Sequence, residues 1–444
     1  MEELKAAVLG KWLNIDLDFI ANKMGFAESE VTVSEELVYE TIRCLDETCV
    51  SKKPSINYVI TVIALMWEYI DHNKYDVSKL IVKFLSRIGY PTSAIIADEG
   101  YDRENCIFSS LGSTIDNLLT TLNQETNEVT VNGHKFLLTN FQMNIWRSMD
   151  SEKIIGISAP TSAGKSFVIL LKLLEKLSKE NFDIVYIVPT LSLLNQVSED
   201  FNTYLNRLNV VNCSISNSVI GKENSSHNNI YILTQEKAIA AFCSDKNVFS
   251  NNLILVADEI QNIERIKEDN DERAKILFDT LNEFRYKENV KQVIISGPRI
   301  NDIDITGKSI FGIETESITS LDSPVLNLTY SICKSSIGYN LKQYCAITKQ
   351  PLQKAITNQS SIIGYGYKLY DSKFLSFLNE LVNRFPGQQN IIFSPTAATA
   401  RKIACSLDGE RNTNELISEL IDYYKKSIHP SYSMCNTLEK GAAY

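Results

Sequence analysis

"GISAPTSAGKSFVI" (156–169) places a glycine, a lysine and a serine between an apolar run and a helix-forming one. A phosphate chain needs backbone N–H groups converging on its oxygens, with a helix N-terminus behind them. It also needs a lysine for the β and γ phosphates and a hydroxyl for Mg²⁺. "APTSAGKS" supplies these in order: the loop Thr161, Ser162, Ala163 and Gly164, then Lys165 and Ser166, then the helix former "FVILLKLLEKL". The apolar run "IIGIS" (154–158) ahead of the loop reads as the strand this arrangement requires. Ala159 stands where the general pattern has its first glycine. A second Gly-Lys-Ser, in "ITGKSI" (305–310), follows Asp302 instead of a small residue and leads into no clear long helix, so it is expected to touch no phosphate.

Working outward, short apolar runs alternate with amphipathic stretches from residue 150: "IIGIS", "IVYIV" (184–188), "IYIL" (230–233), "LILVA" (253–257) and "VIIS" (293–296). Continuous apolar runs of this length suit a parallel sheet buried on both faces, which predicts a doubly wound α/β lobe over 126–325. Residues 1–125 read as a helical module: "SEELVYETIRCL" opens on Ser34 as a cap, and "SKLIVKFLSRI" repeats apolar positions at helical spacing. "YVITVIALMW" (58–67) is about half the length that spans a bilayer, so it reads as a buried helix and no membrane partner is expected. "NEVTVNGHKFLLT" (127–139) reads as a hairpin turning at Asn132-Gly133. A further βα unit begins at "NIIFSPTAATARKIAC" (390–405), inside a region, 326–444, that reads as a linker and an incomplete second lobe.

A chain of 444 residues exceeds what one core usually supports, so two or three domains are expected. Its formal charge of −10 argues against coating nucleic acid by bulk electrostatics while allowing a local basic groove. Nine cysteines without a CxxC pair, far from the four histidines, give no metal-ligand spacing. With no signal peptide in "MEELKAAVLGKW" (1–12), they point to the reducing cytoplasm.

The Mg²⁺ of a phosphate-loop enzyme also wants a carboxylate at the end of a neighbouring apolar strand, with an adjacent acid to orient water. "LILVADEIQ" (253–261) has this form. Asp258 and Ser166 are the candidate metal ligands, and Lys165, Asp258 and Glu259 the candidate catalytic set, with Glu259 polarising the attacking water. The alternative is that the two acids only cap a strand end.

In this order the strand ends resemble superfamily 2 helicases, in the branch with archaeal DNA-repair and exosome-associated RNA helicases. The likeness runs from about residue 136 to the end of the chain. Gln142 in "LLTNFQMNIW" matches the upstream glutamine that reads adenine. "VPTLSLLNQ" (188–196) and "LTQEKA" (233–238) match the two segments that grip the strand backbone, and "DEIQ" (258–261) matches the DExH box. "SGPRI" (296–300) occupies the place of the coupling motif, and "NIIFSPT" (390–396) opens the second lobe. The resemblance implies RecA-like lobes that use ATP and Mg²⁺ to move on nucleic acid, DNA favoured over RNA. Pro189, Thr190, Thr234, Ser394 and Thr396 would lie against the polymer. Taken singly, each of these residues reads more readily as a turn residue; their order and spacing around the phosphate loop carry the reading. Gln261 replaces the usual histidine of the box, and Gly297 and Pro298 the alanine and threonine that relay the ATP state. Asp271, Glu272 and Arg273 resemble the acidic and arginine stretch that follows the box; a solvated charge cluster is the alternative.

The helical module, the "DEIQ" box and the ending "KGAAY" also resemble the helicase subunit of Hachiman-type anti-phage systems, which implies a companion nuclease subunit. About 50 residues after "NIIFSPT", with no arginine-rich motif among them, lead to the expectation of a fragment cut within its second lobe and poorly active alone. Arg401 reads there as a surface residue. Two other classes fit the phosphate loop: a nucleotide-switched, nucleic-acid-sensing subunit that regulates a partner nuclease, and an ATPase that remodels proteins. The strand-gripping segments favour a helicase over the last of these.

Overall fold

The computed structural model describes residues 2–219, 228–244, 248–264, 272–368, 371–385, 389–407 and 415–444. Asp271 lies outside the described residues. The chain forms α1 (Glu2–Lys23), α2 (Glu35–Val50), α3 (Ile56–Tyr69), α4 (Ser78–Arg87) and α5 (Thr114–Glu125) before its first strands. The run "YVITVIALMW" lies within α3, and among the described residues no helix is long and apolar enough to cross a membrane.

By compactness the chain divides into one unit of residues 42–64 and 70–326 and another of residues 1–41, 65–69 and 327–444. In the first unit, β1 (Glu128–Val131) and β2 (His134–Leu137) pair antiparallel with Val131 opposite His134. Asn132 and Gly133 take φ of 46° and 84°, the left-handed pair that a two-residue hairpin turn demands. Phe136 then packs between the rings of Phe167 and Tyr204, at 6.3 and 6.4 Å.

The lobe that follows runs α6 (Asn140–Ser151), β3 (Ile154–Ser158), α7 (Lys165–Leu177), β4 (Asp183–Val188), α8 (Leu191–Arg207), β5 (Cys213–Ser216) and β6 (Asn228–Thr234). It continues through α9 (Gln235–Ser244), β7 (Leu253–Ala257), α10 (Glu272–Arg285), β8 (Val290–Gly297), α11 (Ile303–Phe311) and β9 (Glu316–Thr319). The seven strands β5-β6-β4-β7-β8-β3-β9 form one sheet, parallel throughout. Because side chains alternate across a strand, Ile155, Ile157, Ile184, Tyr186 and Val256 meet α6, α7 and α8. Ile154, Val185, Ile187, Leu255 and Ile295 meet α9, α10 and α11 on the opposite face. The expected doubly wound α/β lobe is therefore present, and both faces of its sheet are covered. Its central strands β7, β8 and β3 lie side by side, so their C-terminal ends and the loops that leave them share one edge, where open α/β sheets hold ligands.

In the other unit, β10 (Leu328–Ser335), β11 (Gly338–Cys345) and β12 (Leu352–Ala355) form an antiparallel sheet, followed by α12 (Ser372–Asn383), α13 (Ala397–Ser406), α14 (Glu415–Ser427) and α15 (Ser433–Leu438). Helix α1 packs on this sheet through Leu17 and Ala21. Asp16, 5% exposed, accepts hydrogen bonds from Tyr69, Tyr330 and Gln343. Burial, first, and the Asp16 carboxylate push both tyrosine hydroxyls well above their ordinary pKa. Asp16→Ala strands these donors, each at about 1–3 kcal/mol when left without a partner in the interior. We expect the variant to unfold at lower denaturant concentration, as followed by circular dichroism.

One expected element differs. "NIIFS" (390–394) is not a strand: Ile391 is 98% and Phe393 84% exposed. An apolar run becomes a strand only where a neighbour takes its backbone hydrogen bonds, and no ladder includes these residues among those described. Thr396 still caps the following helix, accepting from the Thr399 N–H at 3.2 Å.

Candidate nucleotide site

The loop between β3 and α7 makes one 3-10 turn, Thr161–Ala163, and then reverses through Gly164 at φ 72°, ψ 32°. That positive φ favours glycine, and a Cβ there would lie 2.4 Å from Gln142 Nε2, so another residue would also displace that amide from the Ala163 carbonyl. Helix α7 begins at Lys165, and its first N–H groups have no intrahelical acceptor, so they face the loop's mouth as anion donors. Thr161, Ser162 and Ser166 are exposed around that mouth, while Ala163 is buried.

Lys165 is only 4% exposed. Its ammonium donates to the Ala159 and Pro160 carbonyls, at 2.7 and 3.1 Å. Burial pushes its pKa below the ordinary lysine value, while Asp258 and Glu259 act to raise it. The charge is thus held by the loop itself, beside the two acids.

Asp258, at the end of β7, is the hub. Its Oδ2 accepts from Ser166 Oγ at 3.4 Å and from the Tyr186 hydroxyl at 3.3 Å. Its Oδ1 accepts from Ser296 Oγ at the end of β8 and from the Glu259 N–H at 3.0 Å. Burial, with Asp258 beside it, raises the Tyr186 hydroxyl well above its ordinary pKa, so it remains a donor. Carboxylate and hydroxyl oxygens from Ser166 and Asp258 are the hard donor set that suits Mg²⁺.

Glu259 takes φ 57°, a left-handed turn that a non-glycine residue adopts only under constraint from its surroundings. Its Oε2 accepts from Gln261 Nε2, and its carbonyl from Asn262 Nδ2 at 2.9 Å. Gln261 rests against Gly297, where a Cβ would lie 2.5 Å from Gln261 Oε1 and 2.7 Å from Ile300 Cδ1. Two of the three positions that depart from the resemblance at the box and the coupling motif, Gln261 and Gly297, therefore pack against each other. Gly297→Ala is expected to cost about 1–3 kcal/mol, as for other atoms forced into a packed site, and to free the Glu259 carboxylate from Gln261. Denaturant titration of the variant beside the parent chain measures it.

Gln142 anchors the back of the site. With Thr139 it forms a capping box at the start of α6, and its Nε2 also donates to the Ala163 carbonyl at 3.2 Å. The residue expected to read adenine is therefore fixed to the phosphate loop and 8% exposed. The pattern Thr-x-x-Gln at 139–142 was a sequence signal for that cap. Tyr186 and Ser158, whose Oγ accepts from the Ile300 N–H at 2.7 Å, had no comparable signal, and Ser296 was visible only as the first residue of "SGPRI".

Of the residues expected against a polymer, Thr190 is exposed and caps α8 through the Leu193 N–H at 3.2 Å, and Pro189 beside it is half-buried. Thr234 is 5% exposed, and its hydroxyl is used by the Glu236 carboxylate. Ser394 and Thr396 belong to the other unit, where Ser394 Oγ donates to the Thr396 carbonyl at 3.1 Å. Arg401 is exposed on α13. The second Gly-Lys-Ser lies inside α11, where Lys308 pairs with Glu314 on the surface.

A family model described as DEAD/DEAH box helicase matches residues 139–297, from the cap of α6 to the end of β8. Activating signal cointegrator 1 complex subunit 3 of Dictyostelium discoideum is 29% identical over 137 residues, 28% of this chain and 6% of that protein's length. The crystal structure of the DUF1998 helicase MrfA bound to DNA is similar at TM-score 0.41 and 12% identity, covering 66% of this chain and 41% of that one. With DNA and AMPPNP bound, MrfA gives 0.41 and 13% over 61% and 35%. A DEAD box protein from the hyperthermophile Methanococcus jannaschii gives 0.33 and 16% over 42% and 50%. The matched stretch, residues 139–297, is the one that carries the loop between β3 and α7, the Asp258 hub and Glu259.

Proposed function

We propose that this chain is an ATP-dependent nucleic-acid helicase or translocase, with the nucleotide at the mouth of the loop between β3 and α7. One observation carries the reading: Lys165, Ser166, Asp258, Glu259 and Ser296, from three neighbouring strand ends, converge in one cluster around a single carboxylate. The α7 N–H groups and Lys165 would bind the β and γ phosphates. Ser166 and Asp258 would hold Mg²⁺, which when bound neutralises charge on those phosphates. Glu259 would orient and deprotonate the attacking water. Ser296 links the Asp258 carboxylate to the "SGPRI" segment, a route by which the state of the nucleotide reaches the polymer side.

The polymer would lie across the loop after β4 and the start of α9, with DNA favoured over RNA. Contacts from loop hydroxyls, backbone groups and scattered lysines should give binding that is largely independent of sequence and weakens as salt rises. Fluorescence anisotropy with labelled single strands of different sequence, over a salt series, tests this. Salt-insensitive binding, or strong preference for one sequence, would refute the polymer assignment.

The hold of Gln261 on Glu259 favours a second reading, in which the domain switches on nucleotide and regulates a nuclease partner. A place in antiviral defence with such a subunit follows from the Hachiman resemblance, and the DExH assignment of "DEIQ" from the superfamily 2 resemblance. A cytoplasmic location is part of the proposal, on the nine scattered cysteines without a CxxC pair.

A further inference from the structure

We infer that Arg273 is a positioning residue: it clips the loop after β4 to the start of α9, so that the two segments proposed to grip a strand form one rigid surface. The inference rests on the polymer reading above. Strands β4 and β6 are neighbours, and Val188 stands opposite Thr234 in their parallel register. The loop at 189–190 and the first residues of α9, 235–236, therefore leave the sheet side by side, with strand ends ~4.8 Å apart. The ladder ends at this pair, so something else must fix the spacing of the two segments beyond it.

Arg273, at the start of α10, bridges them. One guanidinium nitrogen donates to the Pro189 carbonyl at 2.5 Å, and Nε donates to Glu236 Oε1 at 2.7 Å. Gln235 Nε2 donates to the same carboxylate oxygen at 3.1 Å. Seven residues along, on the same face of α10, fully buried Thr280 lies 3.3 Å from the Gln235 carbonyl while its hydroxyl donates to the Ile276 carbonyl at 2.7 Å. Helix α10 thus packs against the start of α9 at Thr280 and reaches Pro189 and Glu236 through Arg273. Burial acts to raise the Glu236 carboxyl, and Arg273 with Thr234 outweighs it, so the group lies below its ordinary pKa and stays charged for the arginine. Arg273 meets its two acceptors with two different nitrogens of one rigid fork, Nε and a terminal nitrogen, a spacing that the one nitrogen of lysine does not reproduce.

The competing role for an arginine 53% exposed here is direct contact with a phosphate, and charge separates the two. Arg273→Lys keeps the charge and loses the bridge, Arg273→Ala loses both, and Glu236→Gln weakens the bridge and leaves Arg273 in place. The first measurement, hydrogen exchange of the chain without polymer, should show faster exchange at residues 190–193 and 235–238 in all three variants, with 161–166 unchanged. The second is binding of a labelled oligothymidylate over a salt series. Each variant should lose about tenfold in affinity, the scale of one charged hydrogen bond, with the salt slope unaltered. Binding restored by lysine, with a slope reduced by about one in Arg273→Ala alone, assigns Arg273 to a phosphate and overturns the clip. Unchanged exchange overturns it as well. If the parent chain binds no strand while exchange responds as expected, the clip stands and the polymer reading fails.

Discussion

Lys165→Ala is expected to abolish ATP hydrolysis and weaken nucleotide binding. Lys165 is 4% exposed, and its ammonium is held by the Ala159 and Pro160 carbonyls. It lies where phosphate charge would arrive. Burial has already depressed its pKa, so an incoming phosphate would meet an ammonium that water solvates poorly and that gains most from an anionic partner. Removing one preorganised donor from such a site lowers turnover by about 10²–10³. Here the loss includes a full charge, so the rate should fall at least that far. Lys308→Ala is the internal control: the same tripeptide, inside a helix, with its lysine paired to Glu314 at the surface. It should leave turnover unchanged. A chain crippled by Lys308→Ala and indifferent to Lys165→Ala would place the phosphate elsewhere.

Glu259→Gln should separate binding from chemistry. The substitution keeps the shape of the side chain, and the groups that would hold phosphate and metal, Lys165, Ser166 and Asp258, are untouched. What disappears is the carboxylate that would take a proton from water, a contribution of about 10²–10⁴ in rate. The variant should therefore bind ATP at least as well as the parent and retain it. Single-turnover hydrolysis, read beside equilibrium nucleotide binding, distinguishes this from the lysine variant, in which both fall. Hydrolysis at the parental rate would return Glu259 to the role of a strand-end cap.

The parts of this domain that were legible in the sequence are those where one physical requirement shows within a few neighbouring residues. A strand buried on both faces must be apolar throughout, so "IIGIS", "IVYIV", "IYIL", "LILVA" and "VIIS" announced the centre of the sheet. The strands β5 and β9, "CSIS" and "ESIT", are short and mixed, and they lie at its two edges where burial asks less of them. "NIIFS" shows the reverse case: strand-like composition does not make a strand without a neighbour to pair with. The phosphate loop was legible because glycine, lysine and serine must be contiguous to serve one anion. The hub around Asp258 was only half legible. Its carboxylate could be read from the end of an apolar strand, whereas Tyr186 and Ser296 come to it from other strands, 72 and 38 residues away in sequence. Arg273 was visible only as part of a charge cluster, since Pro189 and Glu236 meet it through the order of strands in the sheet.

The most direct test of the account is steady-state ATP hydrolysis by this chain with Mg²⁺, measured without polymer, with single-stranded DNA and with single-stranded RNA, Lys165→Ala serving as the blank. We expect a low basal rate that a single strand raises several-fold, DNA more than RNA, and no rate in the blank under any condition. A rate that neither polymer changes, or one that survives in Lys165→Ala, would contradict the coupling of this nucleotide site to nucleic acid.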